Sequence, residues 1–126
     1  MSAKYSLGPL ERQVIEIIWQ EPKKKFKVAQ VQKKLKAKRI NLAYTTIMTI
    51  LTRLTQKELL KRSYEGRAYY YQVKCKKQSF VKKLVKQTLK NLTKNYGDVA
   101  LAAFAAEISR LTPEEKAKLI KNLCSS

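Results

Sequence analysis

Apolar positions along this chain recur at helical spacing in most stretches and switch to alternation once, between Leu59 and Val73. Leu10, Val14, Ile17 and Ile18, closed by Trp19, predict a first helix over about 9–20. Pro9 suits a first helical turn, Pro22 ends the pattern, and Glu11 and Glu16 are expected outward. Lys23-Lys24-Lys25-Phe26-Lys27 reads as a basic connector. Val28, Val31 and Leu35 then mark a second helix whose far face carries Lys33, Lys34, Lys36 and Lys38. In a helix-turn-helix the first helix of the pair crosses the DNA backbone, so these lysines are placed to touch phosphates.

After a turn over Arg39–Leu42, Ile47, Ile50, Leu51 and Leu54 predict a third helix over about 43–57, with Asn41 as its candidate cap. The opposite face holds Tyr44, Thr45, Thr46, Met48, Thr49, Thr52 and Arg53. Its run of β-branched residues lowers helix propensity, so packing has to supply the stability. Leu59–Tyr64 and Arg67–Val73, around the turn pair Glu65-Gly66, read as a hairpin. Alternation sets Tyr69, Tyr71 and Val73 on one face and Ala68, Tyr70 and Gln72 on the other, with Lys61, Arg62 and Arg67 flanking the tip. A helix suited to the major groove, followed at once by a basic hairpin, is the order of a winged helix-turn-helix.

From Lys76 the composition changes. Phe80, Leu84, Leu89, Leu92 and Tyr96, with Val81 and Val85 beside them, predict a long amphipathic helix to about Asn95, stopped by Gly97. Val99–Ile108 is short and Ala-rich. Thr112-Pro113-Glu114-Glu115 is a helix start, leading to an apolar face of Leu119, Ile120 and Leu123. Three helices this small cannot close a core alone, which points to a homodimer held through Phe80, Leu84, Leu89, Leu92, Tyr96, Phe104, Leu119 and Leu123. The expected fold class is mainly α with a small β-hairpin: a winged helix-turn-helix DNA-binding domain over residues 1–75 and a helical dimerisation domain over 76–126.

Charge sharpens the picture. The chain has 126 residues, with 28 Lys and Arg against 9 acids, for a formal net charge of +19. Residues 1–75 carry +12 of this and residues 76–126 carry +7. Such an excess favours polyanions, nucleic acid before acidic membrane. No window approaches a membrane span and the start has no apolar run of the signal-peptide kind, so the expected location is cytoplasmic, with no membrane partner. There is no His, and Cys75 and Cys124 stand alone, so neither a metal cage nor a cofactor is expected. With 3 Gly in all and no phosphate-cradling loop, an enzyme is not expected. Two classes remain: a sequence-specific DNA-binding transcriptional repressor and, as the alternative, a non-sequence-specific architectural nucleic-acid-binding protein. The ratio of operator to random-DNA affinity separates them.

Three runs, taken in order, resemble the penicillinase repressor family of the BlaI/MecI type. They are Leu7-Gly8-Pro9-Leu10-Glu11 to Ile18-Trp19, Ala43-Tyr44-Thr45-Thr46-Ile47-Met48-Thr49 to Arg53-Leu54, and Leu60-Lys61-Arg62 to Tyr69-Tyr70-Tyr71. The likeness is specific over roughly 7–73 and looser in the arm. It implies a dimeric winged-helix repressor on a palindromic double-stranded DNA operator. By position it places recognition contacts on Thr45, Thr46, Met48 and Thr49, with Arg53 nearer the backbone; the reading of the helix face itself adds Tyr44 to the base-discriminating set. Wing contacts fall on Arg62, Tyr64 and Arg67. Met48 replaces a basic residue of some members, and Met suits a thymine methyl better than a guanine edge. The resemblance also raises a regulatory protease acting on the arm as a partner. The Asn-Phe bond cut in antibiotic-responsive members falls on Ala103-Phe104, where Phe is kept and Asn is not. Copper-sensing relatives carry a Cys-rich C-terminal motif, of which only Cys124 is present.

Overall fold

A computed structural model describes residues 6–124, with side chains through Lys121. The elements run α1 (Pro9–Trp19), α2 (Val28–Ala37), α3 (Tyr44–Gln56), β1 (Leu60–Glu65), β2 (Ala68–Val73), α4 (Lys77–Tyr96), α5 (Asp98–Ser109) and α6 (Pro113–Cys124). They form two compact units, one through Phe80 and one from Val81. No described helix is long and apolar enough to cross a membrane.

The first unit packs α1, α2 and α3 around one apolar centre, with the hairpin against α3 and α1. Val14, Ile15, Ile17 and Ile18 meet Val31 and Leu35 of α2 and Ile47, Ile50, Leu51 and Leu54 of α3, all buried. Burial of each such side chain is worth about 1.5–3 kcal/mol, enough to outweigh the modest helix propensity of α3. Two α1 expectations are corrected. Ile15, outside the expected stripe, is buried, whereas Leu10 is 43% exposed. Leu10 sits in the first turn and lines an open groove with residues of α3. The connector is more than basic: Phe26 is fully buried and exchanges two 2.8 Å backbone hydrogen bonds with Tyr71, adding a single rung to β2.

Helices α2 and α3 end alike. Ile40 donates to the Leu35 carbonyl across Arg39 (φ 62°), and Leu59 donates to the Leu54 carbonyl across Glu58 (φ 64°), each at 2.9–3.0 Å. These are six-to-one Schellman closures with a non-glycine residue in the left-handed position. Asn41 does not cap α3. The N-cap is Ala43, without a side-chain hydrogen bond, and the turn is held by Gln32 Nε2 donating to the Leu42 carbonyl at 3.1 Å. The hairpin turn also shifts by one residue. Glu65 pairs with Ala68, so the loop is Gly66-Arg67, with φ of 55° and 65°. Two positive φ angles match a type I′ turn, whose twist suits a two-residue hairpin.

The remaining helices start and stop where local chemistry says they should. Gly97, at φ 72°, ends α4. Thr112 and Glu115 form a reciprocal capping box at α6, the Thr112 N–H donating to Glu115 Oε1 at 3.0 Å and the Glu115 N–H to Thr112 Oγ1 at 3.1 Å. The Thr112 amide, and after it the Thr112 hydroxyl, hold the Glu115 carboxyl below its usual range. No described side chain from Val81 onward is buried. Leu84 and Leu89 are half-buried, while Leu92, Tyr96, Phe104 and Leu119 are exposed. The Leu123 side chain lies outside the described residues. Phe80 is a correction to the expected dimerisation set. It is buried in the first unit with its ring 5.6 Å from that of Trp19. The Trp19 indole N–H donates to the Cys75 carbonyl at 2.9 Å, so the start of α4 is seated on α1.

Candidate nucleic-acid interface

Helix α3 builds one side of the candidate site. Because Ile47, Ile50, Leu51 and Leu54 all point into the core, Tyr44, Thr45, Met48, Thr49 and Arg53 emerge together on the exposed face. Thr46 is half-buried at its edge. The threonines differ chemically. Thr49 Oγ1 donates to the Thr45 carbonyl at 3.0 Å and Thr52 Oγ1 to the Met48 carbonyl at 2.9 Å. Their hydroxyl hydrogens are thereby turned back along the helix, leaving oxygen lone pairs and methyl groups outward. Thr45 and Thr46 carry hydroxyls without a partner in the described chain, free to donate or accept.

The hairpin builds the other side. Arg62, Tyr64 and Arg67 are all exposed, Arg67 in the turn itself. Tyr64 and Tyr69 face each other across the strands with ring centroids 4.8 Å apart, and the Arg62 guanidinium lies 4.5 Å from the Tyr69 ring. Tyr69 is therefore a site residue that sequence reasoning missed as such. Alternation put it on the face of buried Tyr71, but two residues nearer the hairpin turn it is half exposed. The signal was available in the register, which sets Tyr69 opposite Tyr64. Among the described residues no hydrogen bond or ring contact joins the α3 set to the hairpin set; the fold alone places both on one unit.

Several cations are committed inside the chain. Lys34, expected on the outward basic face of α2, bonds Glu21 at 2.9 Å and holds that carboxyl below its usual range. Lys33, Lys36 and Lys38 stay exposed without a partner. Lys25 bonds both oxygens of Glu65 at 3.0 and 3.2 Å, tying the connector to the hairpin tip and lowering the Glu65 carboxyl. Glu16, expected outward, is paired with Lys77 at 2.9 Å. Glu11, also expected outward, is instead largely enclosed. Burial pushes its carboxyl up, but the Gly8 amide and the Lys57 ammonium, with Arg53 nearby, outweigh that and hold it below its usual range. Glu11 and Lys57 thus join the start of α1 to the end of α3, beside a groove of about 410 Å³ lined by Pro9, Leu10, Thr46, Thr49 and Arg53. No group of three or more His, Cys, Asp or Glu able to hold a metal occurs among the described residues.

Comparison with known proteins gives the same architecture. The penicillinase repressor family profile matches residues 7–125. Transcriptional regulator BlaI of Mycobacterium tuberculosis, in strains CDC 1551 / Oshkosh and H37Rv, is 43% identical over 65 residues, covering 52% of this chain and 46% of the relative. The chain thus matches less than half the length of those relatives. The solution structure of the DNA binding domain of the repressor BlaI superposes with a TM-score of 0.50 at 27% identity, covering 61% of this chain and 90% of the other. The complex structure of hsRosR-S1 shares the fold alone, with a TM-score of 0.54 at 13% identity over 85% of this chain and 99% of that one.

Proposed function

The chain belongs to the penicillinase repressor family, a family of transcriptional regulators rather than enzymes, and from that premise we propose that it is a sequence-specific DNA-binding repressor acting as a homodimer on a palindromic operator. The observation that carries this reading is the split of α3 into a buried apolar quartet and a continuous outward face of Tyr44, Thr45, Met48, Thr49 and Arg53. A helix of this build enters the major groove with its short side chains against base edges. Thr49 offers an acceptor to an exocyclic amine and a methyl to thymine, and Met48 suits a thymine methyl. Arg53 reaches the backbone. Arg62 and Arg67 give the hairpin tip its charge, and Tyr64 with Tyr69 gives it a ring surface for the sugar-phosphate rim. Repression needs no chemistry, since occupying a promoter is enough.

Dimerisation falls to residues 76–126, with 1–75 as the DNA-binding part. In support, the helices from Val81 onward bury no described side chain within the chain, leaving Leu92, Tyr96, Phe104 and Leu119 open for a second copy. A regulatory protease is less well supported. The Ala103–Phe104 bond lies inside α5, and cleavage concentrates in exposed loops rather than within helices.

The test is selection of bound duplexes from a random pool, followed by affinity measurement on selected and scrambled DNA. A preference of roughly 10³-fold or more, with a dimer by sedimentation, fits the reading. Equal affinities assign the chain to non-sequence-specific architectural binding instead.

A further inference from the structure

We propose that α4 carries a second contact surface for duplex DNA, a lysine stripe separate from the winged-helix face, which goes beyond the operator reading above. Between Lys77 and Tyr96 there is no Asp or Glu. Lys83, Lys86, Lys90 and Lys94 follow at spacings of three, four and four residues, which puts them on one side of the helix. All four are exposed and none has a partner in the described chain, unlike Lys77, which is paired with Glu16.

The apolar residues Val81, Leu84, Val85, Leu92 and Tyr96 occupy the other side. At these spacings like charges weaken an isolated helix, and Lys82 adds another such pair with Lys86. The arrangement therefore costs some helix stability, which a bound polyanion relieves. From Lys83 to Lys94 the stripe runs about 16 Å at ~1.5 Å per residue. Duplex DNA presents one charge per ~1.7 Å of axis, so roughly ten phosphates lie along a length that four lysines span.

An anionic membrane has the right charge as well. A helix lying in a bilayer interface has to sink its apolar side into the lipid. Here that side carries Leu92 and Tyr96, which the dimer reading above gives to a second copy, so the stripe is left to meet a soluble polyanion.

The experiment compares the full chain with the combined Lys83→Gln, Lys86→Gln, Lys90→Gln and Lys94→Gln variant on a long random-sequence duplex across a salt series. The slope of log affinity against log salt is expected to become less negative by about 2 or more, at ~0.9 per phosphate contact. Affinity near 50 mM salt should fall at least about tenfold, and the matching Lys→Arg variant should restore both. An unchanged slope overturns the proposal, as does a loss that Arg does not restore, since that marks a structural defect. Binding to phosphatidylcholine–phosphatidylserine vesicles that the Gln variant loses, with its DNA slope intact, assigns the stripe to membranes and overturns it too. Absence of operator preference in the unmodified chain would sink the repressor reading without touching the slope comparison.

Discussion

Replacing Glu11 tests how α3 is held. Its carboxylate accepts the Gly8 N–H at 3.0 Å and the Lys57 ammonium at 2.9 and 3.1 Å, and the two side chains are only 12% and 21% exposed. Lys57 also donates to the Ser6 carbonyl at 3.0 Å, so it keeps one partner when Glu11 is lost. Hydrogen bonds to charged groups are worth about 1.5–3 kcal/mol, and an orphaned, partly buried ammonium recovers some of that from water. Glu11→Ala should therefore cost about 2–3 kcal/mol, and Glu11→Gln, which keeps an acceptor for Gly8, about 1–2 kcal/mol. A double-mutant cycle with Lys57→Met by urea unfolding should give a coupling of about 1 kcal/mol or more. The pH dependence has a definite sign. A carboxyl lowered in the folded state binds fewer protons there than in the unfolded chain, so its stabilisation is full above its ordinary value of 4.5 and fades as pH falls through the folded value. The gap between the unmodified chain and Glu11→Gln should accordingly close in acid. A coupling of zero, or a gap that widens as pH falls, refutes the reasoning.

Three other outcomes follow from the site geometry. Arg53→Ala should weaken binding to selected and random DNA alike and reduce the salt slope by about 1, whereas Thr49→Ala should relax base choice by up to ~1–3 kcal/mol; equal losses by Thr49→Ala on both DNAs in a gel shift count against the groove assignment. Tyr69→Leu, which removes the ring under Arg62, should weaken DNA binding by about 0.5–1 kcal/mol while Tyr69→Phe does not, as read by fluorescence anisotropy. Trp19→Leu, losing the Phe80 ring contact and the bond to the Cys75 carbonyl, should cost about 2 kcal/mol in urea unfolding followed by circular dichroism, and a cost below about 0.5 kcal/mol contradicts the seat described for α4.

The elements were legible because their signals are local. The Ile47–Leu54 stripe, the alternation after Leu59, the stop at Gly97 and the Thr112–Glu115 box each depend on neighbours within a turn or two, and each stands in the structure where its local signal put it, the hairpin turn one residue on. What was misread depends on partners far along the chain. Glu11 looked like an outward acid because Lys57 lies 46 residues away. Phe26 looked like one apolar residue in a basic connector, since its rung on Tyr71 is invisible in sequence. Phe80 looked free for a dimer surface because nothing nearby announces Trp19 as its seat. On the candidate interface the outward set of α3 was readable from helical phase, whereas Tyr69 required the hairpin register.

Sequence alone determined which stretches are helix and strand, the main apolar stripe of α2 and α3, and that a large positive charge rides on the chain, because those properties repeat with the backbone period or follow from composition. Tertiary structure decided which charges are spent internally, which ring supports Arg62 and where the first unit ends. Those outcomes depend on distances across the fold between residues that the chain order keeps apart.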